Sequence, residues 1–159
     1  MKMLKEKYTV KPASIGEPKI YLGADIGKVS YADGSYAWSM SSDSYVKEAI
    51  KNVKARLKKD GLEYNKKLSD INYSPQNPFS AVNYRPELDT SHGCSDEQVT
   101  LFQNLIGVLR WIVELGRIDI AFEVSSLSKF LAGPRTGHLV QAIHIFKYLE
   151  IPLRKYLIQ

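Results

Sequence analysis

Residues 95–116, SDEQVTLFQNLIGVLRWIVELG, constrain the fold more than any other stretch of the chain. Leu101, Phe102, Leu105, Ile106, Val108, Leu109, Ile112 and Val113 recur at helical spacing and cover most of the circumference. A helix that is apolar nearly all round must be buried on several sides, so it has to be the centre of a helical lobe. Its ends are marked as well. Ser95 can cap it, Gln98 completes a capping box, Asp96 and Glu97 favour its N-terminus, and Gly116 stops it. Gln103, Arg110 and Glu114 break the apolar run well short of the ~20 residues that a membrane span needs. Gly107 would cost about 1 kcal/mol relative to Ala in mid-helix, so close packing is its expected use.

Partners for this helix are legible on both sides. Asp119 is expected to cap IAFEVSSLSKFLA, which Gly133-Pro134 closes, and Thr136 to cap HLVQAIHIFKYLE, which Pro152 stops. Residues 41–60 read as another helix. Ser41, Ser42, Asp43 and Ser44 offer N-caps, Tyr45, Ala49, Ile50, Val53 and Leu57 form its apolar stripe, and Gly61 follows as the C′ glycine. Before it, KIYLGADIGKVSYA and SYAWSM read as strands joined at Asp33-Gly34, after a loop carrying Pro12, Gly16 and Pro18. Asp-Gly there predicts a type I′ turn with positive φ at both central residues. The fold class is therefore α+β: an N-terminal β-hairpin, a basic helix, then a three-helix lobe. Residues 62–94 hold three prolines and little periodicity, long for a connection inside a compact domain. They separate residues 1–61 from the lobe at 95–150.

Charge points to a partner class. The formal net charge is +5, which favours acidic partners, nucleic acid first among them. Much of it sits between residues 47 and 67, where Lys47, Lys51, Lys54, Arg56, Lys58, Lys59, Lys66 and Lys67 face three acids, Glu48, Asp60 and Glu63. Lys47, Lys51, Lys54 and Lys58 lie three or four apart, a ridge that can track a phosphate backbone or serve as a plain solvated face. Tyr21, Tyr31, Tyr36 and Trp38 on the strands can stack on bases or fill a core.

Other chemistry finds little footing. The single cysteine, Cys94, excludes an intrachain disulfide and makes a reducing compartment the default. The N-terminus has no apolar h-region, so an intracellular protein, cytoplasmic or nuclear, is expected, with no membrane partner. His92-Gly-Cys94 could supply two metal ligands, but His138 and His144 have the wrong period to join each other, and no metal is expected. Residues 31–34, YADG, differ by one letter from Tyr-x-Asp-Asp, whose paired carboxylates hold two magnesium ions in template-copying polymerases. One Asp in a turn cannot do that, and Asp25 shares a face with Asp33 only by accident of register. A surface turn is the expected role.

A resemblance adds to this reading. LIGVLRWIVELGRIDIAFEVSSLSKFLAGPRTGHLVQAIHIFKYLE resembles the segment after the catalytic palm in copia-type LTR retrotransposon reverse transcriptases, part of the Pol polyprotein. The family pattern falls on Leu105, Gly107, Leu109, Trp111, Arg117, Asp119 through Phe122, Val124, Leu127, Ser128, Phe130, Pro134, His138, Ala142, Tyr148 and Leu149. Ile118 stands where the family has Pro. IYLGADI looks like the family's primer-grip strand, which puts Tyr21, Leu22 and Gly23 beside Lys47, Lys51, Lys54 and Lys58 as implied nucleic-acid contacts. SYVKEAIKNV looks like its first thumb helix.

The resemblance, over residues 7–150, implies a part that grips an RNA/DNA primer–template duplex. It implies magnesium for the parent enzyme and no cofactor for this part. The palm and fingers would lie before Met1 and an RNase H domain after Tyr148-Leu149, while residues 151–159 diverge from the pattern. The residues leave open a helical protein-interaction module, with Arg110 and Trp111 in partner contacts, or a retroelement remnant without function. The strands at 19–40, which pack on the palm in that family, are expected to leave an edge open to self-association.

Overall fold

The computed structural model describes residues 16–59, 77–79 and 84–150. Gly61, Pro12, Pro152 and residues 151–159 lie outside them. The chain is α+β. A three-stranded antiparallel sheet in the order β1-β2-β3 is formed by β1 (Ile20–Tyr21), β2 (Ala24–Ser30) and β3 (Tyr36–Ser41). Helix α1 (Asp43–Lys59) follows directly. After a 3₁₀ turn at Pro86–Leu88 come α2 (Asp96–Glu114), a second 3₁₀ turn at Ile118–Ile120, α3 (Ala121–Ser128) and α4 (Thr136–Leu149).

The tight turn is not where Asp-Gly predicts it. Of Asp33 and Gly34 only the glycine has positive φ, 82°. Gly34 N–H donates to the Tyr31 carbonyl at 3.1 Å and Tyr31 N–H to the Ser35 carbonyl at 2.9 Å. The loop is therefore three residues long, a turn followed by one left-handed glycine. The pair with positive φ at both positions is Leu22 (50°) and Gly23 (91°), between the paired residues Tyr21 and Ala24. That is the type I′ position, and a leucine in the left-handed region carries a cost of roughly 1–2 kcal/mol. Propensity favours Asp-Gly, but the ladder register set by β2 and β3 leaves five residues between Ser30 and Tyr36, too many for a two-residue turn.

Helix α2 is the centre, as its apolar girth requires. Phe102, Leu105, Ile106, Leu109 and Ile112 are almost completely buried. Val46, Ala49, Ile50, Val53 and Leu57 of α1 belong to the same hydrophobic cluster, together with Leu139, Ala142, Ile145, Phe146 and Leu149 of α4. Tyr45 is only half-buried, so the stripe on α1 is centred on Val46 rather than on the tyrosine. The capping box at Ser95 and Gln98 forms in both directions.

Three local expectations are corrected. Gly107 is exposed and a Cβ built there meets nothing within 4 Å, so it serves no close contact. Asp119 does not cap α3; it lies in the 3₁₀ turn and accepts from Arg117 Nε at 2.9 Å and Nη2 at 2.8 Å. Thr136 is already the first residue of α4, and the N-cap is Arg135. The backbone N–H of Arg135 donates to His138 Nδ1 at 3.0 Å. A backbone amide can only donate, so the proton of neutral His138 resides on Nε2, which donates to the Pro86 carbonyl at 2.9 Å.

The described parts of the 62–94 connection are tied to the helices by just such long-range bonds. Phe79 enters the core, and His144 Nε2 meets the Asn77 carbonyl at 3.2 Å. Asp89 accepts from Tyr84 Oη at 2.7 Å and from Ser91 N–H at 2.9 Å, while Ser91 Oγ accepts from Gly137 N–H at 2.8 Å. Arg135 Nη1 reaches the Ser91 carbonyl at 2.6 Å.

Candidate nucleic-acid interface

The sequence nominates two groups of residues, and each is built by a different element. The first is the Leu22-Gly23 turn. Tyr21 and Leu22 are exposed, whereas Gly23 lies against α1: a Cβ there would sit 3.1 Å from Tyr45 Cδ2. Ser44 N–H donates to Asp25 Oδ2 at 3.4 Å, so a β2 carboxylate meets one of the orphan donors in the first turn of α1. These two contacts hold the tight turn on the helix N-terminus. Asp25 entered the sequence reading only as a companion for Asp33, and its use as a cap depends on a fold that brings residues 19 apart together.

The second group is the lysine ridge. Helix α1 carries six basic residues against two acidic ones. Lys47, Lys51, Lys54 and Lys58 are all exposed and fall within an arc of about 60° at 3.6 residues per turn. They are not equivalent. Lys54 bridges to Glu150 at 3.0 Å and so ties the middle of α1 to the end of α4. Lys51 pairs with Glu48 at 3.4 Å, with both side chains well exposed, an i,i+3 pair worth only a few tenths of a kcal/mol. Lys47 and Lys58 form no ion pair among the described residues.

The fold does not merge the two groups into one patch. Tyr45, which receives the turn, lies about 160° around the helix from Lys47. The turn thus meets one flank of α1 and the ridge occupies the other. On the turn's flank α1 and α2 part to leave a groove of about 320 Å³, floored by Ala49, Val53, Leu101, Leu105 and Val108 and rimmed by Glu48, Asn52, Arg56 and Asn104. Sequence reasoning missed it, since nothing in a one-dimensional pattern tells where two packed helices diverge.

The remaining candidates have other occupations. Asp33 accepts from Ser35 N–H at 2.9 Å and Ser35 Oγ at 2.6 Å, and these bonds, the hydroxyl's first, hold its carboxyl below the usual range. Cys94 N–H donates to the Pro134 carbonyl at 3.1 Å, and burial pushes the thiol's pKa up, away from the reactive thiolate. No cluster of three or more His, Cys, Asp or Glu able to hold a metal occurs among the described residues. No helix among them is long and apolar enough to cross a membrane.

The residues of the long motif hold the helical lobe together. Arg117, almost fully buried, grips Asp119 with two hydrogen bonds and lies 5.8 Å from the Tyr148 ring centroid, and the Tyr148 hydroxyl also bonds Asp119. Pro134 and His138 fasten the start of α4 to Cys94 and Pro86, and Ala142 is buried between helices. Trp111 and Arg110 are exposed on α2. Most of the motif is therefore architectural, whereas its Gly107, Trp111 and Phe122 are exposed.

Comparison with known proteins bears on the same motif. A Saccharomyces cerevisiae protein named for the transposon Ty5-1 is 28% identical over 131 residues, 82% of this chain. The chain is similar to a transposon protein. It spans 39% of that protein's length. No family model matches the chain, and no solved structure matches it. The likeness covers parts of both the sheet–α1 unit and the helical lobe, since 131 residues cannot fit in either alone.

Proposed function

We propose that this chain is the primer–template-gripping part of a copia-type reverse transcriptase and does not polymerise by itself. The observation that carries the reading is the tight Leu22-Gly23 turn docked on the first turn of a helix with six basic residues. A turn with two exposed side chains can approach a nucleic-acid end, while a lysine flank contacts phosphates without reading sequence. The similarity to the yeast transposon protein supports the retroelement origin of such a part. Asp25 and Asp33 accept hydrogen bonds from Ser44 and Ser35, local structural uses that fit a binding part.

The test is binding of an RNA/DNA duplex by the full chain at several salt concentrations. Contact with three phosphates by Lys47, Lys51 and Lys58 predicts a loss of roughly 40-fold in affinity between 50 and 200 mM salt. Lys47→Glu with Lys58→Glu should cut that dependence to roughly 4-fold or less, the share of Lys51 alone, and both positions avoid the Lys54–Glu150 bridge that supports the fold. Affinity indifferent to salt and to these changes would overturn the grip. Templated synthesis by the isolated chain with magnesium and dNTPs would overturn the non-catalytic part.

A further inference from the structure

Strand β3 is an edge, and its outer side pairs with nothing among the described residues. The register tells which groups face outward. Tyr31 and Ser35 exchange a hydrogen bond at the loop, and bonded and non-bonded pairs alternate from there. Val29↔Ala37 and Gly27↔Ser39 are then the bonded pairs, so Tyr36, Trp38 and Met40 turn their N–H and C=O groups away from β2. The bond from Ile26 N–H to the Lys19 carbonyl, on the opposite side of β2, fits the same alternation. These three residues also carry exposed apolar side chains: Tyr36 is 58% exposed, Trp38 51% and Met40 55%.

Charge decides what such an edge suits. Residues 16–41 hold two basic and three acidic side chains, so the hairpin lacks the positive excess of α1. The rings are also occupied: Lys28 Nζ lies 4.8 Å from the centroids of both Tyr36 and Trp38, and the same ammonium is paired with Glu17. Neither fact favours a stacking platform for bases. An uncharged strand with open ladder groups and a row of apolar side chains suits another strand.

We propose that β3 pairs antiparallel with β3 of a second copy of this chain. Opposed residues in such a pair share a face, and only a register centred on Trp38 pairs all three outward-facing residues, Tyr36, Trp38 and Met40, with one another. It sets Trp38 against Trp38, Tyr36 against Met40, and Ala37 against Ser39. The first two kinds of pair consume the outward N–H and C=O groups, and the aromatic row continues across the two-fold axis on one face. The strand carries no charge, so the axis brings no like charges together. The contact is isologous and closes at two copies. Three half-exposed side chains offer roughly 100 Å² each, about 600 Å² over both copies. That falls below the ~1,000 Å² of a stable interface, so the proposed dimer is a weak one. This pairing does not rest on the nucleic-acid reading, under which a palm would compete with the second copy for these strands.

Sedimentation equilibrium of the full chain across the micromolar range should show a monomer–dimer equilibrium. Met40→Pro should raise the dissociation constant at least tenfold, because the N–H it removes is one that β2 does not use. Circular dichroism checks that the variant keeps its helices. As a second measurement, a chain with Ala37→Cys is mixed with one carrying Ser39→Cys, both also Cys94→Ser. Opposed residues of this kind have Cα atoms about 4.5 Å apart, within disulfide range, so mild oxidation should cross-link the mixture far more than either chain alone. A monomer throughout, even one whose Trp38 stacks on an added oligonucleotide, overturns the proposal. So does a dimer untouched by Met40→Pro, or a mixture that cross-links no better than its components.

Discussion

Leu22 holds a backbone conformation that L-residues avoid, at φ 50°, with its side chain out in solvent. Nothing in its packing explains a leucine there. Leu22→Gly should therefore raise stability by about 1 kcal/mol, read as a shift in the urea midpoint at constant slope. Gly107 gives the mirror case: an exposed mid-helix glycine with open space where a Cβ would go. Gly107→Ala should stabilise by about 1 kcal/mol, and a loss instead would show that the exposed face of α2 is covered in the working protein. By these costs neither residue is the most stable choice at its position. At this scale the sequence was a partial guide. It named Gly34 and Ser95 correctly as punctuation, because such signals are local. It missed Leu22 as a turn residue, since propensity argues against it, and it misassigned Asp119 and Thr136 because capping propensity ranks Asp and Thr first, whereas Arg117 claims the Asp119 carboxylate and His138 makes Arg135 the N-cap.

The elements themselves were legible where their periodicity is strong. Helices α1, α2 and α4 follow their apolar spacing closely, and β2 and β3 follow the hairpin pattern. What joins them was not legible, because those bonds run between distant residues. Tyr148 is the clearest case: it lies over Arg117 and bonds Asp119, which are only two residues apart, a buried guanidinium gripping a carboxylate at the corner between α2 and α3. Arg117→Ala leaves that carboxylate without its charge partner and should destabilise the fold by about 3 kcal/mol. In a domain of this size, thermal unfolding should reveal it as a drop of roughly 10 °C. Arg117→Lys keeps the charge but loses the paired fork and should recover only part. The candidate interface shows the same division. Composition exposed the lysine ridge, but only the fold distinguishes Lys54, committed to Glu150, from Lys47 and Lys58.

For the whole molecule, acid is the natural probe of how residues 77–79 and 84–94 are held. Burial depresses the pKa of His144 from its ordinary 6.5, so the folded state keeps this ring neutral. The contribution is fully present above pH 6.5 and drains away as the pH falls below it, because the unfolded chain takes up a proton that the folded chain resists. Asp89 and Asp119 follow lower down. Despite burial, which acts the other way, hydrogen bonds from Ser91 and Tyr84 lower the first, and the bonds and charge of Arg117 lower the second. Their contribution is present above about pH 3.8, the usual carboxylate value, and is lost as the pH falls through their depressed values. Stability measured from pH 7 to pH 2 should therefore fall in two stages. His144→Gln should remove the first stage and leave the second, and a single transition below pH 4 in the unaltered chain would contradict this assignment.

Gly137 sets a constraint on the order in which this chain can change. A Cβ there would lie 1.8 Å from Asp89 Oδ2, and Asp89 cannot swing aside without releasing Tyr84 and Ser91. The two positions, 48 residues apart, therefore form one hereditary unit. A lineage that replaces Asp89 with a smaller residue first becomes free to lose the glycine, whereas one that loses the glycine first meets a clash with no local remedy. Among descendants of this sequence, any residue other than glycine at 137 should be found only where Asp89 has already gone.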